Sequence, residues 1–374
     1  MLKLFQPPTG LTVLVLSLLS SVSARPEWSP NNFNATNFAC KKPADCPSGF
    51  SCYNAETLME VVTEEGYCDC YVTVGADGDD CQGRGLFNAI WFGGTSLIVA
   101  ISLTIGLLHL TTIFIKLNMA KAFSLKKASN VAFMYLFAAA FGICIYQWSC
   151  FMCAANAGNF ELFADKLRPM GVAFGLVFMI LCGFQITVVW MKLALKSQAK
   201  GGALEKKINR ILLVVRFTQA LVVTVVALSI ITGIITIMRL FSVLMTLVLG
   251  IFFHFGGNML GDLLMPKPDA TIEPSVWEKR AEPAKKVLST ARKLRFMMFV
   301  FGILIVSSSI AGLVSAEPSK ALAGGIIFQL NFFNALGIFM TVTDYLKFGV
   351  RKVLSTGKVA NFGSAMTTKT TTVD

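Results

Sequence analysis

Polar and charged residues are spread very unevenly along this chain. From residue 87 onward, apolar residues gather into seven long blocks, near 87–115, 129–153, 170–191, 211–237, 240–264, 296–316 and 322–343. Each block reaches the length of roughly 20 residues that an α-helix needs to cross the hydrocarbon core of a bilayer. Basic or turn-rich connectors such as "KLNMAKAFSLKK" and "KSQAKGGALEKKINR" separate most of them. The narrowest boundary is "IMRLF" at 237–241, where Arg239 and its neighbours divide the fourth block from the fifth. Without that division the count is six, and the C-terminal tail changes sides. The pattern predicts an all-α membrane protein, with a seven-transmembrane helix bundle over 87–346 and a tail over 347–374.

Composition points the same way. Of 374 residues, 55% are hydrophobic and 14% charged, and 31 are phenylalanine. Soluble domains carry about a quarter charged residues, so this chain cannot cover its own surface with polar groups, and its expected partner is the lipid bilayer. The net charge of +12 would suggest nucleic acid in a soluble protein, but the placement of the charge removes that reading. With the N-terminus outside, the cytoplasmic segments are 116–127, 192–210, 265–295 and 344–374. They hold 23 Lys and Arg against 7 Asp and Glu, while the outer loops and mature N-terminal segment hold 8 against 13. Cytoplasmic loops of membrane proteins are enriched in Lys and Arg. The asymmetry therefore predicts a plasma-membrane protein with an extracellular N-terminus and a cytoplasmic C-terminus.

The N-terminal stretch "LTVLVLSLLSSVSA" follows Lys3 and ends on small residues at Val22, Ser23 and Ala24. A basic start, a short apolar core and a small-residue cleavage site predict a signal peptide over 1–24. Residues 25–39 then form an exposed segment with a glycosylation sequon at Asn34-Ala35-Thr36. Six of the ten cysteines follow between Cys40 and Cys81, with little hydrophobic material between them. A segment of about 40 residues cannot bury enough apolar surface to fold unaided. In a secreted stretch, six close cysteines form a disulfide framework with 15 possible pairings. A zinc site is not expected, because no histidine occurs before His109.

The spacing of Cys40, Cys46, Cys52, Cys68, Cys70 and Cys81, with a single residue between Cys68 and Cys70, resembles an EGF-like module. "CPSGFSC" at 46–52 and the Gly78-Asp79-Asp80-Cys81 ending belong to that resemblance. The resemblance implies bridges Cys40–Cys52, Cys46–Cys68 and Cys70–Cys81. Its calcium-binding form carries acidic residues before the first cysteine. "NNFNATNFA" stands there instead, so no calcium site is expected. Residues 82–86 are expected to be a short linker holding the module against the membrane face.

Within the blocks, ionisable side chains are costly and mark sites of interest. His254, Asn258 and Asp262 in "HFGGNMLGD" are spaced four apart and share a helical face. Arg216 in the fourth block is expected to pair with Asp262 as a lock at the inner end, the alternative for this cluster being a switch or ion site. Gln147, Gln185, Gln219, Gln329, Asn331 and Asn334 are expected to bridge helices. No metal and no cofactor are expected: His109 and His254 lie in different blocks, and the seventh block carries only flanking Lys320 and Lys347.

Signal peptide, small ectodomain, seven spans and cytoplasmic tail together resemble a G-protein-coupled-receptor architecture. The resemblance is one of topology. The third block ends "VVWMKLALK" without an Asp/Glu-Arg-Tyr triplet, and the seventh ends "VTDYLKFG" without Asn-Pro-x-x-Tyr, so no known receptor class is matched by motif. The resemblance implies a non-enzymatic, receptor-like surface protein. Its head would recognise an extracellular protein or matrix ligand, and its basic loops would meet a cytosolic signalling protein. Val287, Leu288, Ala291 and Leu294 recur at helical spacing and are expected to extend the sixth helix beyond the membrane. Leu346, Val350, Val353 and Leu354 are expected to form an amphipathic helix on the inner leaflet. The alternatives are an adhesion or structural protein anchored by the bundle, and then a channel or transporter.

Overall fold

A computed structural model describes residues 39–40, 46, 50–53, 66–70, 76–77, 83–84, 86–120, 123–125, 127–155, 161–197, 203–232, 235–265, 274–313 and 318–355. The signal-peptide segment 1–24, Asn34, Cys81 and the tail beyond 355 lie outside them. The strands are β1 (Ala39–Cys40), β2 (Phe50–Tyr53), β3 (Gly66–Cys70), β4 (Ala76–Asp77) and β5 (Gly83–Arg84). Seven long helices follow among the described residues. They are α1 (Thr95–Met119), α2 (Ala128–Ala154), α3 (Arg168–Ser197), α4 (Ala203–Thr232), α5 (Ile235–Leu264), α6 (Pro274–Leu313) and α7 (Pro318–Ser355). π-Helical stretches at Ala89–Gly94 and Glu161–Leu167 lead into α1 and α3.

Six helical segments are long and apolar enough to cross a membrane: Ile90–Met119, Ala128–Ala154, Leu162–Lys192, Ile208–Val226, Phe241–Asp262 and Leu322–Lys347. The chain is thus a multi-pass, helical, membrane-type protein. The sixth expected block, 296–316, falls on α6 but runs past that helix's last residue, Leu313.

Local chemistry explains several helix ends. α6 and α7 both start on proline, whose missing N–H costs nothing in a first turn. α4 ends at Thr232, where Gly233, a poor helix former, follows. The boundary between the fourth and fifth helices therefore falls before Ile235 rather than at 237–241, and Arg239 lies within α5. The expected linker at 82–86 holds part of a small strand pair. Gly83 pairs with Asp77, Arg84 pairs with Ala76, and helical structure begins at Leu86. Leu346, Val350, Val353 and Leu354 lie on α7 itself, which runs unbroken to Ser355 with no proline after its first residue.

The chain forms two compact units. The first comprises 1–98, 145–171 and 310–326; the second comprises 99–144, 172–309 and 327–374.

The first unit contains the strands. β1, β3 and β2 form one antiparallel sheet in that order, with Cys52 opposite Cys68 and Phe50 opposite Cys70. Its interior is made of Cys40, Cys46, Cys68 and Phe50, all almost fully buried. Covalent bonds replace the apolar core that so short a segment cannot build.

In the second unit, six helices close into a ring, each joined to the next by named contacts. Thr104 of α1 lies 3.4 Å from Cys144 of α2. The Cys182 thiol of α3 reaches the Ala132 carbonyl of α2. Leu249 of α5 packs on Gly183 of α3, and Ala291 of α6 on Gly257 of α5. Asn334 of α7 donates to the Met297 carbonyl of α6 at 2.8 Å, and Phe339 of α7 packs on Gly106 of α1. α4 flanks this ring, with far less of its apolar stretch buried than that of α3.

Exposed threonines on α1 and α4 turn their hydroxyls inward. Thr111, Thr112, Thr218 and Thr224 each donate to the carbonyl four residues earlier. This satisfies the hydroxyl where lipid offers no partner.

Candidate functional site

In the first unit, Cys40 is bonded to Cys52 and Cys46 to Cys68. Both pairs are among the three that the EGF-like resemblance implies. Cys70 is also disulfide-bonded, while Cys81 lies outside the described residues. The sulfurs of Cys40, Cys46 and Cys68 lie within 4.8 Å of one another, but in disulfides they are not the thiolates that zinc requires.

The same unit holds a polar cluster with no counterpart among the expected site residues. The Arg168 guanidinium sits 5.6 Å from the Tyr146 ring centre, the cation over an aromatic face. The Cys150 thiol lies beside Tyr146, Arg168 and Ser96. Ser96, Tyr146 and Cys150 are buried. The cluster ties the first turn of α3 to α2 and to the start of α1. The available signal was an arginine at the mouth of an apolar block, with cysteines three apart, Cys150 and Cys153, in the block before it.

In the second unit, the expected polar face of α5 is present in part. Asn258 Nδ2 lies 3.4 Å from His254 Nδ1. The further partner of His254 is Arg295 of α6, whose Nη1 lies 2.5 Å from the same ring nitrogen. Arg216 and Asp262 are both exposed, and no hydrogen bond or ion pair joins them among the described residues. The expected inner-end lock is therefore replaced by a cross-helix contact between α5 and α6. Arg295 was counted among the loop cations because it directly precedes an apolar run, yet its position at the end of that run places it beside His254.

Of the amides, Gln185 donates to the Ala128 carbonyl at 3.2 Å, and Gln219 of α4 donates to Gln185 Oε1 at 3.2 Å. These bonds hold α2, α3 and α4 together at one level. Gln219→Leu is expected to weaken the fold by about 0.6 kcal/mol, the average for polar contacts between membrane helices. Denaturation of the detergent-solubilised protein measures it, and a loss of several kcal/mol would contradict a simple bridging role.

At the middle of the ring, Leu103, Leu136, Met179, Phe253, Met298 and Phe339 help line an apolar cavity of about 20 Å³. That is room for about one water, and apolar cavities of this kind stay dry. Pockets for organic ligands measure roughly 300–1,000 Å³. In this conformation the central cavity is a packing defect, not a ligand site.

Compared with known protein families, with curated proteins and with solved structures, the chain finds no match.

Proposed function

We propose that this chain is a polytopic, receptor-like protein of the plasma membrane. Its disulfide-bonded, EGF-like head recognises an extracellular protein or matrix ligand. Its seven-helix bundle carries basic loops toward a cytosolic signalling protein, and no enzymatic step is involved. The observation that carries this reading is the pairing of a covalently stapled head with a bundle whose central cavity is too small for an organic ligand. Recognition then falls to the head. The excess of Lys and Arg in alternate connectors supports an outside N-terminus and an inside C-terminus.

A second observation supports a cytosolic output. α6 begins at Pro274, some twenty residues before its apolar stretch, and Ala284, Val287, Ala291 and Leu294 are buried along that extension. A helix that is packed both beyond the apolar stretch and within it moves as one lever. The adhesion alternative draws on the head alone and needs no lever.

The test starts with geography. A tag at the C-terminus should be detected only after cells are permeabilised, and Asn34 should carry a glycan. Staining of the tag on intact cells overturns the orientation and the signalling reading with it. Cells expressing the full chain should then bind an immobilised ligand and show a cytosolic response. Binding without any response favours the adhesion alternative.

A further inference from the structure

Arg295, His254 and Asn258 form a continuous polar patch on the outer surface of the second unit. Arg295 and Asn258 are exposed and His254 is half-buried. The arginine donates to His254 Nδ1, and the Asn258 amide stands 3.4 Å from the same atom. With Nδ1 accepting from the arginine, the neutral ring carries its proton on Nε2, so the patch offers imidazole, amide and remaining guanidinium N–H donors beside the Asn258 carbonyl acceptor. No carboxylate pairs with Arg295 among the described residues. Arg292 and Lys293, also exposed, precede it on the same helix.

On its other side the patch meets exposed apolar residues. Ile251 and Phe255 of α5 and Phe296, Phe299 and Ile303 of α6 all face outward, on segments that read as membrane spans or apolar helix. The arginine thus sits where the exposed surface of α6 changes from basic residues to apolar ones. The guanidinium is bonded to His254 but to no carboxylate among the described residues, and its fork of N–H donors matches a phosphate.

We propose that Arg295, His254 and Asn258 form a binding site for the phosphate of a net-anionic glycerophospholipid. The acyl chains lie along Ile251, Phe255 and Phe299, and Arg292 and Lys293 select against a headgroup that carries its own cation. The site depends on the chain spanning a membrane. It depends neither on which side the tail occupies nor on receptor activity, so its failure is separable from that of the proposed function.

The test uses the full chain, released from bilayers of phosphatidylcholine mixed with phosphatidylglycerol, with retained lipids counted by native mass spectrometry. The intact protein should retain phosphatidylglycerol in preference to phosphatidylcholine. Arg295→Gln should lower that retention roughly tenfold, the worth of a charge-assisted hydrogen bond. Lys206→Gln, an exposed cation on α4, should leave it unchanged. Arg295→Lys keeps the charge and stem but loses the fork; an intermediate loss is expected, and this variant serves if the glutamine variant does not fold. Undiminished preference in both Arg295 variants overturns the site. Displacement of the lipid by inorganic phosphate alone overturns it too, because that result describes an anion site and not a lipid site.

Discussion

Trp190→Ala is expected to cost about 3 kcal/mol, the low end of the range for truncating a buried aromatic. Trp190 is fully buried on α3 and is the largest of the fully buried side chains among the described residues. It meets Phe253 of α5 edge-on at 5.7 Å between ring centres and Tyr345 of α7 edge-on at 6.1 Å. It also lies against Gly256 and Gly257 of α5, within 4 Å of where a side chain there would begin. One indole therefore holds three helices. In water, part of the cost of truncation is the transfer of apolar surface to solvent. In a bilayer that part shrinks, because lipid is as apolar as the protein interior. Lost dispersion contacts and the edge-to-face ring pairs remain, which is why the low end applies. Equilibrium unfolding of the solubilised protein in a denaturing detergent measures the loss. Phe217→Ala, on the exposed face of α4, is the control and should change stability by less than about 0.5 kcal/mol. Equal effects at the two positions would show that Trp190 is not the pin between the helices.

How much of this was legible beforehand differs between elements, for physical reasons. The apolar blocks were plain, because a bilayer demands uninterrupted apolar length and the sequence must supply it locally. The helix break before Ile235 was misplaced by several residues. A charged residue, Arg239, looked like the stronger punctuation, but a helix tolerates arginine far better than the glycine at 233. The early start of α6 was only half visible. Its extension is amphipathic, so the apolar stripe at Val287, Ala291 and Leu294 could be read, while its first turn at Pro274 lies in a polar stretch. The polar face of α5 was readable as a face, since a spacing of four puts His254 and Asn258 together. Its partner was not, because which helix packs opposite is a property of the ring and not of α5. Arg216 and Asp262 had opposite charges and compatible depth, yet the two side chains remain apart. Complementary charge is a necessary condition for a pair; adjacency has to come from packing. Asn331 was expected to bridge helices, but it is buried with neither amide atom hydrogen-bonded.

Gly257→Leu is expected to separate α5 from α6. A Cβ built at Gly257 would stand 2.2 Å from the Ala291 Cβ, closer than two carbon atoms approach, and Ala291 is itself buried on the facing side of α6. One turn along, Gly261 meets Leu288 in the same way, at 2.4 Å. Small residues at this spacing let membrane helices approach closely enough for dispersion contacts to hold them without a hydrophobic driving force. Neither backbone can yield alone, since α5 also packs on Trp190 and α6 bonds to α7 through the Met297 carbonyl. The cost should therefore reach or pass the upper end of the usual overpacking range, about 3 kcal/mol. The readout is again unfolding in denaturing detergent, together with the distance between spin labels on exposed positions of α5 and α6, which should lengthen. Pairing Gly257→Ala with Ala291→Gly tests the geometry directly. The single alanine should destabilise, and the second change should restore part of the loss by returning the space that the methyl group took. If the two effects simply add, the helices are not in contact at this point, and the ring is not closed between α5 and α6.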